Sequence, residues 1–150
     1  MNRIEKIIRK RLLKSGYNQK EIDIIMGVPI PIENIGVTHI TSFGFRYGKP
    51  VEKGAMIIDV RTHFKRNPYH DPTLRHLRGT DAAVATDILQ TPNFAESYYR
   101  LFRMVATFNG PVYLGCTGGH HRSVYLAERI GRELNVPVSH RDIERTKNGM

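Results

Sequence analysis

Residues 111–129, PVYLGCTGGHHRSVYLAER, restrict the fold more than any other part of the chain. The β-type run Pro111-Val-Tyr-Leu114 feeds a tight segment, Gly115-Cys-Thr-Gly-Gly-His-His121, and Arg122-Ser123 open a helical pattern. Leu126, Ile130 and Leu134 continue that pattern at four-residue spacing, with Val124 and Ala127 alongside. Strand, glycine-bearing turn and helix N-terminus together predict an anion cradle, because unpaired backbone N–H groups converge there and the helix dipole adds positive potential. Thr117, Arg122 and Ser123 add side-chain donors, and His120 and His121 stand beside them.

The rest of the chain supplies partners for such a unit. Residues 37–45 are β-branched and aromatic, and residues 55–61 run apolar until Asp59 and Arg61 appear near their end. Residues 136–138 read as a short last strand. Between them, Thr80 or Asp81 caps a short helix through Leu89, and Thr91-Pro92 starts another whose Phe94, Tyr98, Leu101, Phe102 and Val105 share one apolar face. Alternating strands and helices predict an α/β fold with an open, mainly parallel sheet and flanking helices. Residues 2–14 read as a basic amphipathic helix, and Asn18 with Glu21 as a capping arrangement for a second helix through Met26. The expected organisation is therefore a basic helical hairpin and linker over residues 1–36, ahead of one domain over residues 37–150. The prolines after Met26 leave no room for a recognition helix, so the hairpin is expected to pack on the domain rather than read DNA.

Charge narrows the partners. The net charge of +9 favours phosphorylated or polyanionic ligands by long-range steering. Arg3, Lys6 and Lys10 on the first helix, and Arg75 and Arg78 beside Tyr69, His70 and His76, are the candidate RNA contacts. A solvated loop has much the same composition as that second group. No apolar run approaches the ~20 residues that cross a bilayer, so no membrane partner is expected. A single cysteine fits a reducing, cytoplasmic setting. No GxxxxGK(S/T) pattern occurs, which argues against a Walker-type nucleoside triphosphatase.

Two chemistries compete for the turn. Cys116, five residues and Arg122-Ser123 match the CX5R(S/T) spacing of cysteine-dependent phosphatases, with Asp59 or Asp81 as the acid that would protonate the leaving oxygen. A small buried thiol at a strand end fits the same residue. Asp59 and Arg61 lie where α/β sheets collect ligands, yet they also fit a structural ion pair. His120 and His121 lack the spaced partners of a metal site, and no metal or cofactor is expected.

A family resemblance joins these fragments. Ser42-Phe-Gly-Phe-Arg-Tyr-Gly48, Asp59-Val-Arg61, Asn67-Pro68, Asp71-Pro72, Gly79-x-Asp81, Gly115-Cys-Thr-Gly-Gly119, His121-Arg-Ser-Val124 and His140-Arg141 occur in order over roughly residues 38–145. Together they closely resemble the C-terminal domain of the RapZ-type RNase adaptors. The resemblance implies an α/β domain similar to a phosphofructokinase subdomain, which binds small regulatory RNA and senses an amino-sugar phosphate. In full-length relatives it presents RNA to an endoribonuclease and is not itself a nuclease. It places phosphate-pocket residues on Arg46, Thr117, Gly118, Gly119, His121 and Arg122; the reading of the residues themselves adds Ser123, with Asp59 and Arg61 in support. A pocket histidine after Asn-Pro falls on Tyr69, with His70 one position later, a departure that touches sugar recognition. About forty residues of basic helices and linker stand where relatives carry a nucleotide-binding domain, so ATP or GTP hydrolysis is not carried over. Oligomeric state is left open, a homo-oligomer included. The expected activity is that of an RNA- and phosphoester-binding module, with the cysteine phosphatase as the alternative.

Overall fold

The computed structural model describes residues 3–27 and 34–145. Most of the proline-broken linker and the end of the polar tail lie outside the described residues. Two helices, α1 (Arg3–Lys14) and α2 (Gln19–Met26), precede the strands β1 (Val37–Gly44), β2 (Met56–Asp59), β3 (Gly110–Cys116) and β4 (Val138–His140). Between β2 and β3 come α3 (Ala82–Leu89) and α4 (Phe94–Ala106), and α5 (Arg122–Leu134) joins β3 to β4. The strands form one parallel sheet in the order β2-β3-β1-β4. The chain thus leaves β1 toward one edge and β3 toward the other, which opens the crevice between their carboxyl ends.

Alternation along the strands decides which side carries the core. Ile40 of β1 with Val112, Leu114 and Cys116 of β3 face the helices and are all buried. Against them pack Leu126, Ile130 and Leu134 from α5, and the α4 face of Phe94, Tyr98, Leu101, Phe102 and Val105. The aromatic stripe of α4 is therefore core, as its helical spacing predicts. A buried polar network runs through this layer. Arg129 donates from Nε to Glu133 Oε1 at 3.1 Å, and the Tyr98 hydroxyl donates to Glu133 Oε2 at 2.6 Å. Burial first, and Glu133 next, push the Tyr98 hydroxyl pKa far up and keep it a donor.

The same network holds the N-terminal hairpin. Arg129 Nη2 donates to the carbonyl of Ile25 at 2.9 Å, and Tyr99 on α4 donates its hydroxyl to Glu21. Asn18 caps α2 reciprocally with Glu21, and Arg9 ties α1 to Asp23 at 2.7 Å. The hairpin is packed on α4 and α5 rather than free-standing.

Several boundaries differ from the periodic reading. Phe45 opens a 3-10 turn, Phe45–Tyr47, instead of ending β1, and β2 stops at Asp59. Asn93 takes a left-handed φ of 59°, so Thr91-Pro92 form a turn and α4 begins at Phe94. The last strand is Val138–His140, because Pro137 offers the sheet only its carbonyl, which accepts from Ile40 N at 3.0 Å. The polar stretch after β4 is not simply solvated: Asp142 is fully buried.

Candidate functional site

The turn after β3 is held against the carboxyl end of β1 at backbone contact. A Cβ on Gly44 would stand 2.5 Å from the carbonyl carbon of Gly118, and Gly119 adopts φ +75°. That left-handed geometry admits glycine without strain, and the close approach admits no side chain on either residue. Three further contacts fix the turn. Arg46 N donates to Thr117 O at 3.1 Å, and Gly79 N donates to His120 O at 2.8 Å. Behind it, the buried Asp142 carboxylate accepts from Gly44 N at 2.8 Å while pairing with Arg141 and Arg145.

A cavity of about 300 Å³ opens over this turn. Cys116, Thr117, Gly118, His120, His121 and Arg122 form its floor. Its walls are Arg46 from the 3-10 turn after β1 and Asn67, Tyr69, Arg75, His76 and Arg78 from the β2–α3 segment. Arg46, Arg75, Arg78 and Arg122 thus contribute four guanidinium groups, and among the described residues no carboxylate lines the cavity. The start of α5 adds amides that no helical carbonyl can reach, and His121 at its N-cap offers no side-chain cap.

Arg122 and His121 are the unusual members. Arg122 is only 5% exposed; its Nη1 donates to Phe64 O at 3.0 Å, but its buried Nε has no partner among the described residues. Burial lowers its pKa from the usual arginine range, because a charge held away from water is costly. His121 is also 5% exposed, and its Nε2 has no partner among the described residues. Burial, then His120, drive its pKa down to about 4, opposed by backbone hydrogen bonds at Leu77 and Arg75. At neutral pH His121 is therefore an uncharged imidazole. His120 is lowered chiefly by burial and then by Arg78, and its Nε2 lies 2.5 Å from the carbonyl of Arg145.

The other expected residues separate into two groups. Ser123 lies inside the wall: its Oγ is 3.1 Å from Cys116 Sγ and 3.4 Å from Phe43 O, and it is fully buried. Gly119 is structural backing and does not line the cavity. Asp59 and Arg61 form a two-pronged pair, at 3.0 and 2.9 Å, outside the lining. Hydrogen bonding from Arg61 holds the Asp59 carboxyl below the usual range, which keeps it ionised and unsuited to donating a proton at neutral pH. Asp81, the other acid candidate, accepts from Arg78 N at 2.6 Å. His70 faces a second, shallow pocket with Arg66 and Asp71. Arg75 and Arg78 reach the cavity, whereas Arg3, Lys6 and Lys10 sit on α1, which contributes nothing to it.

Asn67 lines the cavity with no signal in the sequence, His76 and His120 line it as neighbours of the expected contacts, and Asp142 supports it from behind. Asn67 and His76 lie in a loop whose polarity is ordinary, so composition carries no signal for them. Asp142 is three residues from the end of the described chain, in a polar stretch that predicts exposure.

Comparison with known proteins places this geometry in context. A family model for the RapZ C-terminal domain matches residues 37–144. A nucleotide-binding protein of Lactiplantibacillus plantarum is 41% identical over 121 residues, 71% of this chain and 40% of that protein. One from Heliobacterium modesticaldum is 34% identical over 162 residues, 98% of this chain and 52% of the relative. One from Rhodospirillum rubrum is 41% identical over 122 residues, 71% of this chain and 37% of that protein. The chain spans about half or less of the length of these curated relatives.

Proposed function

The chain belongs to the RapZ C-terminal domain family, and on that premise we propose that it is a non-enzymatic module that binds a phosphorylated small ligand at the 116–123 turn and RNA on its basic surface. The observation that carries the reading is the buried Arg122 guanidinium, whose Nε has no partner among the described residues, beside a cavity lined by four arginines and, among the described residues, no carboxylate. Such a site lacks a negative charge to complete it, and a phosphoryl group supplies one together with acceptors for the turn amides. Arg46, Thr117 and Gly118 complete the phosphate contacts in this reading. The family resemblance makes amino-sugar phosphates the reference ligands to test, and an endoribonuclease the macromolecular partner to test. Arg75 and Arg78 bring RNA phosphates to the cavity mouth, and Arg3, Lys6 and Lys10 extend the surface along α1. In this division residues 1–36 are an RNA-facing accessory and residues 37–150 the ligand domain.

One observation favours the phosphatase alternative. The Cys116 thiol and Ser123 hydroxyl are 3.1 Å apart, the contact that the CX5R(S/T) spacing requires. It lacks an acid, since Asp59 is locked to Arg61 and kept ionised. Titration calorimetry with glucosamine 6-phosphate, glucose 6-phosphate and inorganic phosphate, alongside gel shifts at moderate salt, tests the binding module. Arg122→Ala is expected to lose phosphoester binding with the fold intact, and absence of both RNA and phosphoester affinity in the parent protein would sink the proposal. Phosphoester turnover that disappears in Cys116→Ser would instead establish the enzyme.

A further inference from the structure

We infer that Tyr69 and Arg75 form a stacking platform, so that the cavity selects a phosphomonoester carrying a planar ring: a nucleoside 5′-monophosphate, free or as the 5′ end of an RNA. This deepens the phosphoester reading above and rests on it. Tyr69 is a large aromatic left 46% exposed on the wall of a polar cavity. An exposed aromatic ring is ordinary on a surface, but this one is held in place before any ligand arrives. Its N–H donates to Asn67 Oδ1 at 3.1 Å within the Pro68–His70 turn, and Pro68 is buried. Its carbonyl accepts from Arg75 Nε at 2.9 Å, and the same guanidinium lies 4.8 Å from the ring centroid.

A phenol ring and a guanidinium stacked in this way present flat, electron-rich and cationic surfaces, on which a nucleobase stacks whatever its hydrogen-bonding edge. Because the pair is pre-ordered, a bound ring does not have to immobilise it. The platform is also coupled to the phosphate cradle. Gly79 N donates to His120 O at 2.8 Å, so the segment that carries the guanidinium is bonded directly to the turn.

The experiment is calorimetry with inorganic phosphate, ribose 5-phosphate, glucosamine 6-phosphate and adenosine 5′-monophosphate, on the parent protein, Tyr69→Ala and Arg122→Ala. Stacking of one base predicts that the nucleotide binds roughly tenfold or more tightly than ribose 5-phosphate. Tyr69→Ala should bring the two within about twofold, while Arg122→Ala should weaken all of them. Equal affinity for nucleotide and ribose 5-phosphate in the parent protein, or a preference that survives Tyr69→Ala, overturns the platform alone. Failure of every phosphorylated compound to bind overturns the phosphoester reading beneath it. Oligoribonucleotides ending in 5′-phosphate or 5′-hydroxyl, used to displace the nucleotide, separate the sources: displacement by the phosphorylated end only assigns an RNA terminus, and displacement by neither assigns the free nucleotide.

Discussion

Gly44→Ala tests whether the turn is clamped to β1 as the geometry requires. The backbone at Gly44, φ −111° and ψ 127°, suits alanine, so the substitution carries no conformational penalty. Its cost is purely one of space. The added carbon would lie 2.5 Å from Gly118 C, 2.7 Å from Gly118 O and 2.7 Å from Gly119 N, against 3.4–4 Å for ordinary contact. These are backbone atoms and cannot rotate aside, so strand and turn must part by about 1 Å, with an overpacking cost of ~1–3 kcal/mol. The separation strains the Arg46–Thr117 and Gly44–Asp142 hydrogen bonds and spreads the cradle. Urea unfolding should report that loss, and calorimetry should show phosphate affinity falling by about tenfold, the effect of roughly one weakened charged hydrogen bond. Gly118→Ala is the control. Its Cβ would meet only the His120 ring, at 3.6 and 3.9 Å, so stability should stay within about 0.5 kcal/mol while the methyl group crowds the cavity. Parent-like stability and phosphate affinity in Gly44→Ala would refute the clamp.

Two further outcomes follow from the buried polar groups. His121 has a folded-state pKa of about 4, below the unfolded value of about 6.5, so the unfolded chain takes the proton first as pH falls. Its contribution is present above about pH 6.5 and disappears toward pH 4, a loss on the order of 3 kcal/mol; urea midpoints measured between pH 7 and 4.5 should fall more steeply than in His121→Gln. Glu133→Ala leaves the Arg129 charge and the Tyr98 hydroxyl buried without their shared acceptor. Removing one member of such a pair costs about 3–5 kcal/mol, against at most about 1 kcal/mol for Arg9→Ala at the more exposed Arg9–Asp23 pair, both read by denaturant unfolding.

What the sequence disclosed was what repeats with a period. The α5 positions Leu126, Ile130 and Leu134, the α4 stripe and the Asn18–Glu21 cap each announce themselves by spacing, and each stands in the structure as its spacing requires. The turn was legible because glycine, arginine and a helix start coincide in one short stretch. Long-range pairing was not. Asp59 and Arg61 fit ligand contact and mutual pairing equally well until their bidentate geometry is seen. Ser123 reads as a donor beside the turn, yet one step of helical rotation sends its hydroxyl inward to Cys116. Asp142 gives no local sign of burial, because its partner Gly44 is 98 residues away. Tyr69 was noticed by residue type, but its fixed pose comes from Asn67 and Arg75, which no spacing rule connects.

The seating of the hairpin has a practical consequence for dissecting RNA contacts. Helix α5 begins at Arg122 in the cavity floor and, about two turns later, offers Arg129 to the carbonyl of Ile25. Deleting residues 1–27 would strip cations from the surface and, at the same stroke, leave the Arg129 guanidinium short of an acceptor inside the protein. A drop in RNA affinity after such a truncation mixes lost charge with a loosened helix. Charge reversals confined to Arg3, Lys6 and Lys10 leave that anchorage intact, and they are the cleaner way to ask what the N-terminal helix touches.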